Sequence, residues 1–355
     1  MSEPSAASAR AARDRPAPVA AGAGAAAAGA GSPGASRGTP ATAVAAGGDP
    51  IPGGPTFTWG AGRRRIVLHQ GDCIGGMRRL LAPDSVDVVV TSPPYNLGIA
   101  YGRYDDAVPR AQYLDWIEHW ALAVRRVLRP AGSLFLNIGG KPADPWGPLD
   151  VLLRLRPHFV LQNTLHWVKS IALDVDPQGT EASHGRALTV GHYKPINSTR
   201  YVNDCHEYVF HLTKTGAVPL DRLAIGVEYQ DKSNVRRWRR ARGDRRCRGN
   251  TWFIPYETIQ SRQRQRPHPA TFPVRLPLMC IRLHGLERAQ HVLDPFLGLG
   301  STALACRALG IRCTGFELDP SYWAVACQRV RSATAGSIAA GALSAAPHLP
   351  SSEPG

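Results

Sequence analysis

The chain is 355 residues long, with 43% hydrophobic and 19% charged residues and a formal net charge of +15. That length allows about two domains, but residues 1–55 are almost wholly Ala, Gly, Pro and Ser, which leaves one substantial fold at 56–330 between low-complexity tails at 1–55 and 331–355, both expected to be disordered. A collagen-like or disordered body is excluded, and seven cysteines with no C-x-x-C spacing exclude a disulfide scaffold and the usual zinc and redox motifs.

No run reaches the roughly 18 apolar residues of a membrane helix. The Ala-rich start is broken by Gly, Pro and Asp where a signal peptide needs an unbroken apolar stretch. A cytoplasmic protein with reduced thiols, no bound metal and no membrane partner is expected. The first tail sets four Arg against three acidic residues and the second one Arg against one Glu, so +14 of the charge belongs to the body.

In chain order, Ile66–Leu68 and Val86–Val90 read as short buried strands. The second runs into Thr91-Ser92-Pro93-Pro94-Tyr95-Asn96. Consecutive prolines donate no backbone hydrogen bonds and restrict the residue before them, so the strand stops with the Ser92 hydroxyl and the Pro93 carbonyl as fixed acceptors. That lies at the carboxyl end of a strand, where open α/β sheets bind ligands; the two acceptors suit an amino group, and Tyr95 could stack on a flat ring. Taken alone, Pro-Pro is more often a plain strand cap.

Tyr113–Leu128 follows as an amphipathic helix and Ser133–Ile138 as a strand. Leu161–Lys169 and His206–Thr213 are two more strands with no clear helix between them, expected to add an antiparallel pair. Ser170–Arg200 lacks periodicity and is expected to be a long loop over the active face. Arg236–Arg248 holds eight Arg and one Asp, a local +7. A charge run by itself is as often a solvated surface. Trp238 within it turns the reading toward nucleic acid, with Arg236, Arg237, Arg239, Arg240, Arg242, Arg245, Arg246 and Arg248 as candidate contacts.

His291–Asp294, a glycine turn, the helix Ser301–Leu309 and the strand Cys313–Glu317 complete the pattern. Strands alternating with helices predict an α/β fold with a mostly parallel sheet covered on both faces. Gly298, Gly300 and Ala303 fit the G-x-G-x-x-G/A fingerprint, with Glu317 where a ribose-binding acid stands. Those residues do not separate a nicotinamide cofactor from S-adenosylmethionine.

Thr91-Ser-Pro-Pro-Tyr95, His268-Pro-Ala-Thr-Phe-Pro273 and Asp294-Pro-Phe-Leu-Gly-Leu-Gly-Ser-Thr302, in that order, resemble the β-class DNA amino-methyltransferases, from about Leu68 to Arg329. The resemblance implies an S-adenosylmethionine-dependent methyltransferase fold, with a seven-stranded sheet carrying an antiparallel last strand and a circularly permuted motif order. It implies target-recognition insertions near 170–200 and 214–266.

It also implies catalysis at Ser92, Pro93, Pro94 and Tyr95. The methionine end of the cofactor falls to Asp294, Phe296, Gly298, Gly300, Ser301 and Thr302, with Ala270 and Thr271 nearby, the ribose to Glu317 and the adenine to Asp72. Many relatives have Asp or Asn where Ser92 stands, and the Ser form is more typical of enzymes methylating the N4 amine of cytosine.

The expected activity is therefore site-specific methylation of cytosine N4 in duplex DNA, with base flipping. A restriction endonuclease is the partner this family implies, and the protein is expected to be a monomer or a homodimer. Adenine-N6 methylation, methylation of RNA or a protein glutamine, and an inactive nucleic-acid-binding module remain alternatives. A nicotinamide oxidoreductase leaves the Ser92 turn unexplained.

Overall fold

The computed structural model describes residues 54–99, 103–173, 188–191, 197–237, 243–255 and 271–334. In chain order the elements are β1 (Thr56–Trp59), β2 (Ile66–Gln70), α1 (Cys73–Leu80), β3 (Val86–Thr91), α2 (Arg110–Val127), β4 (Leu128–Ile138), α3 (Gly147–Leu155), β5 (Val160–Val168), β6 (Ser170–Leu173), β7 (Leu188–Gly191), β8 (His206–Thr213), α4 (Ser233–Arg237), β9 (Thr251–Phe253), α5 (Arg275–His284), β10 (His291–Asp294), α6 (Ser301–Leu309), β11 (Arg312–Glu317) and α7 (Pro320–Ser332).

Nine strands form one sheet in the order β1-β2-β11-β10-β3-β4-β8-β5-β9. Within it, β2, β11, β10, β3 and β4 run parallel, and β8 lies antiparallel between β4 and β5. The seven strands expected from the resemblance are therefore present, including the antiparallel one. The count differs because β1 pairs antiparallel with β2 at one edge and β9 pairs with β5 at the other. Each added strand has only three or four residues, too short for alternation to register in the sequence. The motif order is permuted as expected: β10 comes late in the chain yet inserts between β11 and β3.

The β-branched run of β3 is buried along all six residues, the pattern of an interior parallel strand covered on both faces. Val88 and Val90 pack in one layer with Ile66, Val292 and, from α5, Leu276 and Cys280. Val89 points the other way, toward Leu134, Leu136 and the stripe Tyr113, Ile117, Trp120 and Val124 of α2. That stripe recurs every three or four residues, which is why this segment is a helix and which face it buries.

Two segments depart from expectation. β4 begins at Leu128 rather than Ser133, because Leu128 already pairs with Val86 and the turn-like Arg129-Pro130-Ala131-Gly132 is absorbed as a bulge. The expected loop Ser170–Arg200 contains an antiparallel ribbon, with Ser170–Leu173 of β6 paired to Leu188–Gly191 of β7, and residues 174–187 and 192–196 lie outside the described ones. The tails 1–53 and 335–355 lie outside them as well. Among the described residues no helix is long and apolar enough to cross a membrane.

Three histidines are buried in the sheet layers. The Ser133 hydroxyl bridges His211 Nε2 and His284 Nδ1 at 2.9 Å each, and His291 pairs with the Ser85 carbonyl and the Thr314 hydroxyl. Burial holds their pKa values down at about 3, about 4 and about 4 respectively. The unfolded chain takes up protons at these positions as pH falls below about 6.5 while the folded chain does not. Their contribution is present above that pH and is lost on acidification toward pH 4.

Two buried carboxyls act in the opposite sense. Asp294 and Glu317 are raised by burial to about 6 and about 7, so the folded state gains protons on them first. Three against two, the histidines prevail: the urea midpoint is expected to fall between pH 7 and pH 5, and a midpoint that rises over this range would contradict the assignment.

Candidate active site

β3 and β10 are neighbours in register, Val88 opposite Val292 and Val89 opposite Leu293, so the Ser92 turn and the glycine turn leave the same edge of the sheet side by side. They are joined there: Thr91 Oγ1 donates to Asp294 Oδ1 at 2.7 Å. Asp294 Oδ1 also accepts from Phe296 N at 3.1 Å; Oδ2 is buried with no partner at close hydrogen-bond geometry among the described residues, although the Thr302 hydroxyl is near enough to oppose the rise that burial gives the Asp294 pKa. A buried acceptor so weakly partnered costs free energy unless a donor arrives, so it suits a cationic ligand.

The glycine turn needs its glycines. Gly298 and Gly300 take φ of 52° and 82°, and a Cβ on Gly300 would stand 3.2 Å from Ala326 Cβ. Glu317, at the end of β11, ties the turn down: its Oε2 accepts from Gly298 N at 2.7 Å and its Oε1 from Asp319 N at 2.9 Å. Phe296 leans on Trp116 and Trp120, with ring centroids 5.6 and 5.5 Å away. A buried carboxylate oxygen without a close partner, a turn whose two glycines leave the backbone open at 298 and 300, and an acid held at the next strand end fit a ligand bearing an ammonium and a ribose. The donor set thus fits S-adenosylmethionine.

The other expected cofactor residues vary in position. Thr302 is fully buried and donates to the Val90 carbonyl at 3.4 Å, fastening α6 to β3, and Ser301 is buried as the first residue of that helix. Asp72 is exposed and caps α1 by accepting from Gly75 N at 2.6 Å, in the loop after β2, whose Gln70 pairs with Glu317. Thr271 is half-buried, whereas His268, Pro269 and Ala270 of the same motif lie outside the described residues.

At the Ser92 turn, Pro93 is buried, and the Pro94 carbonyl accepts from Tyr113 Oη at 2.8 Å, which anchors the turn to α2. Ser92 Oγ lies 2.7 Å from Tyr95 Oη, and Tyr95 Oη donates to Glu207 Oε2 at 2.9 Å. Asn137 Nδ2 donates to Tyr95 Oη and to Glu207 Oε2, both at 2.7 Å, and Lys169 Nζ stands 3.1 Å from Glu207 Oε1.

The sequence reading omitted Asn137 and Glu207 as site residues. The available signal was the one amide of β4 and the one acid of β8. Cys73 is buried with its thiol pushed well above the usual range by burial, so it offers no thiolate for covalent chemistry.

The arginine run falls into three parts. Arg236 and Arg237 end α4, while Trp238, Arg239, Arg240 and Arg242 lie outside the described residues. Arg245 and Arg246 are exposed, and Arg248 is half-buried with its Nε donating to the Ile225 carbonyl at 3.0 Å. Arg248 is therefore partly committed to the fold, as is Arg245 through Gly226 O at 3.2 Å. Among the described residues no cluster of His, Cys, Asp or Glu could hold a metal ion.

Comparison with known proteins agrees with this geometry. A family profile described as DNA methylase matches residues 86–328. The Type II methyltransferase M.ScaI of Streptomyces caespitosus is 25% identical over 282 residues, covering 75% of this chain and 81% of its own. M.PvuII of Proteus hauseri is 26% identical over 272 residues, 69% and 78% of the two chains. Among solved structures, the PvuII DNA methyltransferase (cytosine-N4-specific) superposes with a TM-score of 0.53 at 20% identity, over 78% of this chain and 91% of that one. The chain belongs to the N4/N6 DNA methylase family, the β-class amino-methyltransferases, whose methyl donor is S-adenosylmethionine.

Proposed function

We propose that the protein methylates the N4 amine of cytosine in duplex DNA at a specific site. The observation that carries this reading is the Ser92 turn and the glycine turn emerging side by side from β3 and β10, joined through Thr91 and Asp294. Support for cytosine comes from Ser at position 92, the form more typical of cytosine-N4 enzymes, and from the description of the PvuII relative as cytosine-N4-specific.

An exocyclic amine conjugated to a ring shares its lone pair with the ring and is a poor nucleophile. Ser92 Oγ and the Pro93 carbonyl accept its hydrogens, favour a more tetrahedral nitrogen and aim its lone pair. The bound cofactor supplies a methyl group on a positively charged sulfur, a good leaving group. The residues therefore contribute position and electrostatics, with no covalent intermediate. Asp294, Phe296, Gly298, Gly300, Ser301 and Thr302 shape the methionine end of the cofactor pocket, and the family resemblance adds Ala270 and Thr271 to that role. Glu317 takes the ribose and Asp72 the adenine. The target base leaves the duplex to reach Ser92, at a cost of a few kcal/mol, partly offset by stacking on Tyr95.

Residues 56–330 form the methyltransferase domain, and sequence reading falls to 170–200 and 214–266. The run of Arg236, Arg237, Trp238, Arg239, Arg240, Arg242, Arg245, Arg246 and Arg248 supplies phosphate contacts that position the protein, and a few of those Arg read guanine edges. The Type II names of the relatives support a cytoplasmic restriction-modification role. Purified protein given a methyl-labelled donor is expected to label duplex DNA and to leave RNA and protein unlabelled. Label in RNA or protein alone would overturn the substrate class.

A further inference from the structure

We infer that Glu207 is a positioning residue that sets Ser92 as a hydrogen-bond acceptor, acting through the hydroxyl of Tyr95. The inference rests on the reading of Ser92 as the group that accepts from the target amine, and it holds for either base.

The direction of each hydrogen bond follows from counting protons. A carboxylate only accepts, and Glu207 stands in an ion pair with Lys169, the two side chains 11% and 20% exposed. Tyr95 has one hydroxyl hydrogen and donates it to Glu207 Oε2. Asn137 Nδ2, a pure donor, reaches the same Tyr95 oxygen and the same carboxylate oxygen. With its hydrogen committed, Tyr95 can only accept from Ser92, 2.7 Å away.

Ser92 therefore donates its hydrogen to Tyr95 and, with Asn137 Nδ2 only at 3.4 Å, keeps acceptor capacity for the amine. The order runs from the target amine to Ser92, then Tyr95, then Glu207, with Lys169 behind. The close quarters at Gly139 keep this chain in place: a Cβ there would meet Glu207 Cγ at 3.0 Å and Tyr95 Cε2 at 3.2 Å.

Reversing the polarity of the last acceptor reverses the chain. In Glu207→Gln the amide oxygen stays on Lys169 and the NH2 takes the place of Oε2, where it donates to Tyr95 and to Asn137 once that amide turns over to present Oδ1; the Tyr95 hydroxyl then donates to Ser92. The Ser92 hydrogen is freed to point at the amine, which now meets a donor in place of an acceptor. Tyr95→Phe removes the same link and keeps the ring.

The test is the single-turnover methyl-transfer rate of full-length wild type, Glu207→Gln, Tyr95→Phe and the double variant on duplex DNA, with cofactor and DNA affinities measured alongside. Each single variant is expected to lose on the order of 10–100-fold in rate, with both affinities kept within about threefold. The double variant should be no slower than the slower single one, because the groups act as one unit. Should Glu207→Gln fail to fold, Tyr95→Phe, which leaves the ring and its packing intact, carries the test alone.

An active wild type with an equally active Glu207→Gln or Tyr95→Phe would overturn the relay while leaving the site reading intact, and so would additive losses. A wild type that transfers no methyl group to DNA would remove the site reading and the relay together.

Discussion

Replacing Ser92 with Ala is expected to lower kcat by about 10²-fold, the scale of losing one preorganised hydrogen-bonding group from a water-poor site. The hydroxyl lies off the apolar core, at the carboxyl end of β3, and its described partners are the Tyr95 hydroxyl and the Asn137 amide. Its removal leaves both packed layers untouched. The loss should appear in kcat with cofactor affinity unchanged, since the glycine turn is built from other strands. Steady-state kinetics with an independent cofactor-binding titration separate the two. A Ser92→Ala enzyme with wild-type kcat would show that the amine is held elsewhere.

Gly300→Val is expected to abolish measurable cofactor binding and to lower the thermal midpoint as well. A φ of 82° is costly for an L-residue, about 1–2 kcal/mol and more for a β-branched one. The new Cβ would also meet Ala326 of α7 at 3.2 Å, so α7 must give way by a few tenths of an ångström to admit it. Both effects fall on the loop whose backbone Glu317 holds through Gly298. From sequence alone Gly300 reads as a residue that lets a cofactor approach. The structure adds a packing role, which makes the variant unstable as well as deficient in binding. Calorimetric titration and a thermal melt check the two parts separately, and unchanged cofactor affinity would remove the glycine turn from the cofactor site.

Where the chemistry is carried by local backbone, the sequence was informative. Pro93-Pro94 ends β3 and the glycines end β10 through their own conformational limits, so both turns could be placed before any tertiary structure was known. The pairing of β5 with β8 was legible because each strand is long and lacks a helix between them.

What escaped was set by tertiary contact. Asn137 and Glu207 sit on different strands, and only the antiparallel register of β4 and β8, with Asn137 opposite Val209, brings them to Tyr95. β6 and β7 were hidden because a short ribbon in a Gly- and His-rich stretch has no periodicity to read. The arginine run was legible as charge, but the commitment of Arg248 to the Ile225 carbonyl depends on a loop folding back from residues 221–229. Composition alone overstates how much of that run is available to DNA.

The most direct measurement is to express the gene in a host lacking amino-methylation, digest its DNA to nucleosides and quantify N4-methylcytosine and N6-methyladenine together. N4-methylcytosine, absent from a Ser92→Ala control, is the predicted result. N6-methyladenine in its place would contradict the assignment of the base and with it the weight given to Ser92, and neither product from soluble, cofactor-binding protein would contradict the DNA reaction itself.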